Sequence, residues 1–362
     1  VTMLIHLIRK EFLQLKRDRR MLPIVFVAPA LQLLIFGYAA TLDVVEIPLM
    51  VCDQDRSEIS RELVRRLKGS NNFAPITYAA DPDDIDAQLT AGQVGVGLVI
   101  PVGAGSDVLA GRSAEVQILV DGADSVTASQ GLSSATLVTS LYGQELLQER
   151  LLAMGFRLPE MPRLEPRVWY NPELKSRNYM VPAVMGMILV IMTLMLTSMA
   201  LVREKESGTM EQLIVTPLRP VQLILGKLLP FVIIGFAQST VILVVAVFWF
   251  EVPFRGSVGV LCLLILPFLL NTRGLGLFVS TITHTQQQAM MTAMFFFMMP
   301  MIYFSGFVFP IESMPAWIQP VCYLVPLKYF LSVIRGIFLR GVGLEVLWPD
   351  ALALTGLGLG VL

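Results

Sequence analysis

The sequence predicts an α-helical polytopic membrane protein with six transmembrane helices and an inserted extracytoplasmic α/β domain. Of the 362 residues, 55% are hydrophobic and only 15% are charged, whereas typical soluble domains carry about 25% charged residues. Several apolar stretches reach the length of about 20 residues that a helix needs to cross a bilayer. The charged residues are unevenly distributed, since residues 43–178 hold 31 of the 55. A segment of ordinary soluble composition therefore lies inside a membrane protein.

Composition also excludes several classes of function. The net charge of −1 gives no basic face that could replace the counterions of nucleic acid. The chain has only three cysteines and two histidines, and they are far apart in sequence. We therefore expect no disulfide framework, metal site or haem site. The acidic residues of the soluble segment lack the D-x-D-x-D-G spacing of a calcium loop. They are interpreted as surface groups and helix caps, and no metal is expected.

Residues 1–20 predict a cytoplasmic amphipathic helix at the membrane interface. Leu4, Ile8, Phe12 and Leu15 recur at helical spacing. The cationic residues that accompany them are Arg9, Lys10, Lys16, Arg17, Arg19 and Arg20. Their excess places the N-terminus in the cytoplasm by the positive-inside rule. Contact with a cytoplasmic partner is a second possible role for this helix.

The first transmembrane helix is predicted at residues 21–42, which include Pro23 and Pro29. No cleavage-site pattern follows the basic start, so we expect this helix to stay in the protein.

Residues 43–178 alternate between strand and helix patterns, which predicts the extracytoplasmic α/β domain. Short apolar runs predict buried strands at residues 47–52, 94–100 and 116–120. Between the first two runs, Ser57 and Asp81 are predicted N-caps of two helices, and Pro82 takes the first helical position of the second one. A long helix is predicted after Ser125.

Residues 179–362 predict transmembrane helices two to six. Their predicted ranges are 179–202, 221–250, 258–282, 289–309 and 344–362. Residues 310–340 contain four prolines between apolar runs that are too short to cross, so they predict an outer re-entrant segment. Both termini are then cytoplasmic. Lys328, Arg335 and Arg340 fall on the outer side, against the usual charge bias.

Arg273 interrupts the apolar fourth transmembrane helix in the run LLNTRGLG. An arginine at the centre of a membrane costs about 2.5 to 3.5 kcal/mol on insertion scales. A paired, inward-facing side chain is the preferred interpretation, and a helix that starts or kinks there is the alternative.

The run REKESGTMEQLIVTPLRPVQLILGK, residues 203–227, follows the second transmembrane helix. Met210, Leu213 and Ile214 form an apolar stripe beside several charged residues, which predicts a short amphipathic cytoplasmic helix at residues 203–216. A solvated turn is the alternative. Gly226 and Lys227 lack the remaining residues of a GxxxxGK[ST] phosphate-binding loop, so no ATPase activity is expected in this chain.

This run resembles the motif that follows the second transmembrane helix in permeases of the ABC-2 type (type 2 ATP-binding-cassette) exporter family. The supporting motifs are Ser280–Met290, SGFVFPIESMPAWIQ at residues 305–319 and YLVPLKYFLSVIRGIFLRGVG at residues 323–343. The soluble insert is similar to that of the bacterial drug-efflux-like branch. The run NTR at residues 271–273 departs from the apolar pattern of the family.

The resemblance implies a permease of the bacterial inner membrane that acts as a dimer, or with a paralogue, on a separate cytoplasmic ABC ATPase. ATP and Mg would bind the ATPase, and this chain would bind no cofactor. A periplasmic adaptor and an outer-membrane channel are possible further partners, and nucleic acid is not one. The resemblance assigns ATPase coupling to a helix that carries Glu204, Lys205, Glu206, Gly208, Thr209, Met210, Glu211, Gln212 and Leu213.

Methionines are concentrated in the second and fifth transmembrane helices. The predicted substrate path contains Met185, Met192, Met195, Met199, Met294 and Met298. Plain packing is the alternative role, but flexible thioethers suit varied apolar molecules. Multidrug export of hydrophobic or amphipathic molecules is therefore expected. Export of a polysaccharide, lipid or ion, a non-transporting membrane receptor and an intramembrane enzyme are the competing hypotheses.

Overall fold

The computed structural model describes residues 8–10, 13, 17, 21–39, 46–70, 72–155, 167, 169–172, 175–209 and 220–361. The chain divides into two compact units, one formed by Val1–Thr41 with Arg167–Leu362 and the other by Leu42–Pro166. The predicted N-terminal interface helix lies mostly outside the described residues.

The unit Leu42–Pro166 is a four-stranded sheet flanked by helices. Its elements are β1 (Ile47–Asp53), α2 (Glu58–Gly69), β2 (Phe73–Tyr78), α3 (Pro82–Thr90), β3 (Val96–Ile100), α4 (Ala104–Ala110), β4 (Gln117–Val120) and α5 (Ser125–Ala153). The strand order is β2-β1-β3-β4, and only β4 is antiparallel to its neighbour. Three of the four strands were predicted from their apolar runs.

Both faces of this sheet are buried, which is why its central strands are apolar up to Cys52 in β1 and throughout β3. Leu49 and Val51 of β1 pack in one cluster with Leu67 of α2 and with residues of α5. Cys52 of the same strand packs on the other face with Ile85 of α3. The alternation follows from the two-residue period of a strand.

The helix starts in this unit are set by the predicted caps. Ser57 accepts a hydrogen bond from the backbone N–H of Ser60, and Asp81 forms a capping box with Asp84 at the start of α3. Asp55 accepts hydrogen bonds from the backbone N–H groups of Gly103 and Gly105 at 2.9 and 3.0 Å. A hydrogen bond from Ser57, together with these backbone bonds, holds the pKa of Asp55 below its usual value. These bonds fasten the end of β1 to the start of α4.

The membrane unit is helical. Its helices are α1 (Met21–Ala39), α6 (Ser176–Glu206), α7 (Pro220–Phe248), α8 (Val258–Ile282), α9 (Gln286–Thr292), α10 (Met299–Phe304), α11 (Gln319–Cys322), α12 (Pro326–Arg335) and α13 (Leu344–Val361). A π-helical segment, Ala293–Met298, joins α9 to α10, and a second one, Gly336–Arg340, follows α12.

Among the described residues, four helices are long and apolar enough to cross a membrane. They are Ser176–Glu206, Gly226–Phe248, Val258–Ile282 and Leu344–Val361. The shorter apolar helix Pro23–Ala39 lies within the first predicted span. The fifth predicted span ends five residues early, at Phe304, because the chain turns at Gly306, whose φ is +79°.

Helix α6 forms the centre of the membrane unit. It contacts α1, α7, α8, α9 and α12, and most of its residues between Val181 and Val202 are buried. It packs tightly on α8 at Gly276, where an added Cβ would lie 2.9 Å from Thr197 Cβ and 3.0 Å from the Leu194 carbonyl oxygen. A small residue at this crossing lets the two backbones pack directly.

The run NTR ties α8 to its neighbours through buried polar contacts. Asn271 Nδ2 donates to the Leu354 carbonyl oxygen of α13 at 2.6 Å. The hydroxyl of Thr272 is hydrogen-bonded to that of Thr193 on α6 at 2.8 Å. Inside a membrane such hydrogen bonds join helices without any help from water.

The Gly276 crossing yields a stability prediction. Gly276→Ala should lower the melting temperature of the detergent-purified protein, because the extra methyl group forces α6 and α8 apart at a cost of about 1 to 3 kcal/mol. Gly356→Ala in α13 is the matched control, since no heavy atom lies within 4 Å of the added Cβ. A control that melts earlier than Gly276→Ala would contradict the close packing described here.

Candidate functional site

The last turn of α6 carries four consecutive charged residues, and the last three, Glu204, Lys205 and Glu206, contact different parts of the membrane unit. Glu204 Oε1 accepts a hydrogen bond from Lys10 Nζ at 3.1 Å. Its second oxygen forms an ion pair with Lys227 Nζ of α7. The side chains of Glu204 and Lys227 are 14% and 6% exposed, so this pair is largely shielded from water. Two cations therefore offset a carboxylate at a helix C-terminus, where the helix dipole disfavours negative charge.

Lys205 caps the C-terminus of α8. Its ammonium group donates to the carbonyl oxygens of Ser280, Thr281 and Thr283. The last carbonyls of a helix have no partner within the helix, and the C-terminal dipole favours a cation. One lysine thus satisfies several of these groups.

Glu206 binds Gln286, the first residue of α9. Its two carboxylate oxygens accept hydrogen bonds from the backbone N–H and the side-chain amide of Gln286, at 2.8 and 2.5 Å. Gln286 begins α9, so the carboxylate lies where unpaired N–H groups and the positive end of the dipole favour an anion. We call Glu204, Lys205 and Glu206 the charged clamp.

Helix α6 ends directly after the charged clamp. Gly208 has a φ of +71° and donates its N–H to the Lys205 carbonyl oxygen at 3.1 Å, as is typical of a helix that ends in the left-handed conformation. The Thr209 hydroxyl donates to the Glu204 carbonyl oxygen at 3.2 Å. Met210, Glu211, Gln212 and Leu213 lie outside the described residues, so the apolar stripe remains a prediction.

The structure adds partners that the sequence analysis did not assign. The two acids were expected to face an ATPase, whereas the structure gives them Lys10, Lys227 and Gln286 within the same chain. Lys227 carried a usable signal, because a lone lysine in an apolar helix predicts a buried acidic partner. Gln286 carried none, since a glutamine at a helix start is compatible with many environments.

The methionines of the predicted substrate path differ in how far their side chains are exposed to solvent. Met185 and Met192 are buried in the core of the membrane unit. Met195, Met199 and Met298 are half-buried, and Met294 is 36% exposed.

The two methionine-bearing segments pack against each other. Leu194 and Val202 of α6 form one cluster with Ala289 and Ala293 of the other segment. The π-helical segment that begins at Ala293 was not predicted, and such segments are frequent at functional sites.

Arg273 is completely buried. Its Nη1 donates to the Thr197 hydroxyl of α6 at 3.1 Å, and its guanidinium carbon lies 5.7 Å from the Phe231 ring centre of α7. Within the described part of the chain, its Nε and Nη2 atoms have no hydrogen-bond partner. The contact to Thr197 joins α8 to α6.

Comparison with known proteins identifies the family to which this chain belongs. The model of the ABC-2 family transporter proteins matches residues 19–362. The chain belongs to the ABC-2 transporter family. Members of this family are the membrane component of an ABC transporter and not its ATPase, which implies a partner ATPase for this multi-pass membrane protein.

Three relatives from Escherichia coli K12 cover most of this ABC-2 chain. The "Probable multidrug ABC transporter permease YbhR" is 31% identical over 342 residues, which cover 94% of this chain and 91% of the relative. The "Probable multidrug ABC transporter permease YbhS" is 32% identical over 92% of this chain and 87% of the relative. The "Inner membrane transport permease YhhJ" is 29% identical over 86% of this chain and 82% of the relative.

The two cations on Glu204 should contribute unequally to stability. Glu204→Ala leaves Lys227 buried without its counter-ion, which costs about 3 to 5 kcal/mol. Lys10→Ala removes a side chain that is 39% exposed, and exposed pairs contribute about 0 to 1 kcal/mol. In thermal unfolding of the detergent-purified permease, Glu204→Ala should therefore melt well below Lys10→Ala.

A double variant separates the ion pair from a general packing defect. Glu204→Leu with Lys227→Met replaces both buried charges by apolar groups, and it should recover most of the stability that Glu204→Ala loses. Equal melting temperatures for the Glu204→Ala and Lys10→Ala variants would argue against a shielded ion pair.

Proposed function

We propose that this chain is the transmembrane permease subunit of an ABC exporter that a separate cytoplasmic ATPase drives. The charged clamp is the observation that carries the proposal. It joins the end of α6 to Lys10, to α7, to the end of α8 and to the start of α9. A force applied just beyond Gly208 would therefore move several helices together.

In this proposal the ATPase contacts the segment that follows α6. Coupling would use Glu204 to Leu213, with the clamp transmitting a rigid shift and Met210 to Leu213 seating on the ATPase. Two-state packing of helices is a common way to pass such a shift through a membrane protein. ATP and Mg would bind the ATPase, and this chain would need no cofactor.

The assembly we infer has six transmembrane helices per permease in the bacterial inner membrane. The α/β unit would lie outside the cytoplasm and both termini inside. A second permease copy or a paralogue would complete the pathway, and a periplasmic adaptor with an outer-membrane channel would continue it. The helical run from Gln286 to Phe304 supports a fifth span, because α9, the π-helical segment and α10 follow one another without a gap.

The proposed substrates are hydrophobic or amphipathic, drug-like molecules. The names of YbhR and YbhS support this class, since both are described as multidrug permeases. Exposed apolar side chains on the fifth helical run support it as well, among them Met294 and Phe296. The path would be lined by half-buried and exposed methionines, while Met185 and Met192 pack the helix behind it.

Coupling can be tested by separating two roles of Glu206. Glu206→Arg removes both hydrogen bonds from Gln286 and also reverses a charge that the proposal turns towards the ATPase. Gln286→Ala removes only the side-chain hydrogen bond within the permease and keeps the backbone one. We expect Glu206→Arg to reduce co-purification of a co-expressed cytoplasmic ABC ATPase and permease-dependent ATP hydrolysis more strongly than Gln286→Ala.

Glu211→Arg should give a similar loss of ATPase binding, and Glu312→Arg, an exposed acid elsewhere in the chain, is the matched control. Equal ATPase binding by wild type and Glu211→Arg would contradict the proposed docking segment. If no ATPase co-purifies with the wild type, the receptor hypothesis replaces the exporter.

The substrate path predicts a transport defect without a folding defect. Met294→Asp places a charge on a 36% exposed position, so efflux of a hydrophobic dye from cells should fall while the amount of folded protein stays the same. Met154→Asp, at an exposed position in the α/β unit, is the control. Unchanged dye efflux by Met294→Asp would remove this residue from the path.

A further inference from the structure

A cavity of about 460 Å³ opens in the membrane unit, away from the charged clamp. It is lined by the start of α6, residues 305–312, α12 with the π-helical segment that follows it, and α13. Three cationic residues line it, Lys328, Arg335 and Arg340, together with the acidic residues Glu312 and Asp350. These groups have no role in the proposed coupling or substrate path.

Arg335 is the central group of this cavity. Its guanidinium carbon lies 3.7 Å from the ring centre of Tyr179, so the ring covers one face of the cation. The Nε and Nη2 atoms are shielded from solvent and have no hydrogen-bond partner within the part of the chain that the structure describes. An unsatisfied buried donor costs about 1 to 3 kcal/mol, and more when it is charged. Such a group calls for an acceptor that the described residues do not supply.

The two carboxylates of the cavity do not act as the acceptor for Arg335. Among the described residues, no ion pair joins Glu312 or Asp350 to a cation of the cavity. Asp350 instead accepts a hydrogen bond from the Ser332 hydroxyl at 2.7 Å. The ammonium nitrogen of Lys328 lies 3.3 Å from the ring centre of Tyr323. Three cations against two carboxylates leave an excess positive charge in the cavity, beside the unsatisfied donors of Arg335.

We propose that this cavity binds a phosphate group, carried either by an anionic lipid headgroup or by a free phosphate. The planar fork of a guanidinium matches two oxygens of a phosphate, and charge-assisted bonds of this kind are about twice as strong as neutral ones. Lys328 and Arg340 add positive charge around the same space. The proposal does not depend on ATPase coupling.

The surroundings of the cavity favour a lipid headgroup as the source of the phosphate. Phe309, Trp317 and Tyr323 lie in the segments around it, and each side chain is more than half exposed. Tryptophan and tyrosine are enriched where proteins meet the headgroup layer of a membrane. A headgroup phosphate in the cavity would place the acyl chains beside these aromatic side chains.

The test uses the full-length permease in detergent and measures binding by thermal stabilisation and by native mass spectrometry. The probes are phosphatidylglycerol, phosphatidylcholine and inorganic phosphate. We expect phosphatidylglycerol to bind in preference to phosphatidylcholine, and Arg335→Gln to raise its dissociation constant about tenfold or more. Without lipid, the variant should melt close to the wild type, because the lost stacking on Tyr179 is offset by the removal of two shielded, unsatisfied donors.

Two further variants keep the proposal testable. Arg340→Gln removes an exposed cation of the cavity and should also weaken phosphatidylglycerol binding, so it serves if Arg335→Gln fails to fold. Arg255→Gln removes an exposed arginine outside the cavity lining and should leave binding unchanged.

The outcomes separate the two sources and can overturn the proposal. Selective binding of phosphatidylglycerol assigns the phosphate to a lipid, and binding of inorganic phosphate that Arg335→Gln abolishes assigns it to a free phosphate. Phosphatidylcholine carries a phosphate too, with a choline cation added. Equal binding of the two lipids that Arg335→Gln leaves unchanged, without any binding of inorganic phosphate, would therefore overturn the site. Unchanged binding in both Arg335→Gln and Arg340→Gln would overturn it as well.

Discussion

Helix ends impose the main constraint on this membrane unit, because each one leaves backbone groups that need partners. The charged clamp meets that need at two helix ends within one turn of α6. Lys205 satisfies carbonyl groups at the end of α8, and Glu206 satisfies the first N–H of α9. Glu204 adds an ion pair to Lys227 of α7. The ends of α6, α8 and α9 and the position of α7 at Lys227 therefore depend on three consecutive residues.

The same helices are joined a second time by small and polar residues in their interior. Gly276 lets α8 approach α6, while Thr272 and Arg273 bond to hydroxyl groups of α6. Asn271 extends the connection to α13. Apolar side chains alone give little reason for helices to associate in lipid, so these specific contacts select the arrangement. A shift at the clamp would be carried along α6 by a rigid set of contacts.

Much of this architecture follows from local sequence patterns. The buried strands of the α/β unit and the caps Ser57 and Asp81 could be predicted because their causes lie within a few residues. Strand β2 escaped prediction since Pro75 interrupts its pattern, and it lies at the edge of the sheet, where a proline is tolerated. The multi-pass membrane character followed from composition alone.

The candidate site was less accessible to sequence reasoning because its contacts join distant residues. Glu204 and Lys10 are 194 positions apart, and Glu206 and Gln286 are 80 apart. The sequence identified the clamp residues through their motif, but the motif does not contain their partners. The cavity around Arg335 was invisible for the same reason, since its cations stood out only as charges on an unexpected side of the membrane.

The most direct test of this account is a distance measurement across the clamp. Spin labels at Ser207→Cys and His284→Cys, in a background where Cys52, Cys262 and Cys322 are replaced by alanine, report the separation between the ends of α6 and α8. Double electron–electron resonance would compare the ATP-bound and nucleotide-free complex with the ATPase, in a preparation that hydrolyses ATP. A rigid clamp predicts the same distance distribution in both states. A shift larger than the width of the distribution would show that these helix ends move independently and would contradict the account.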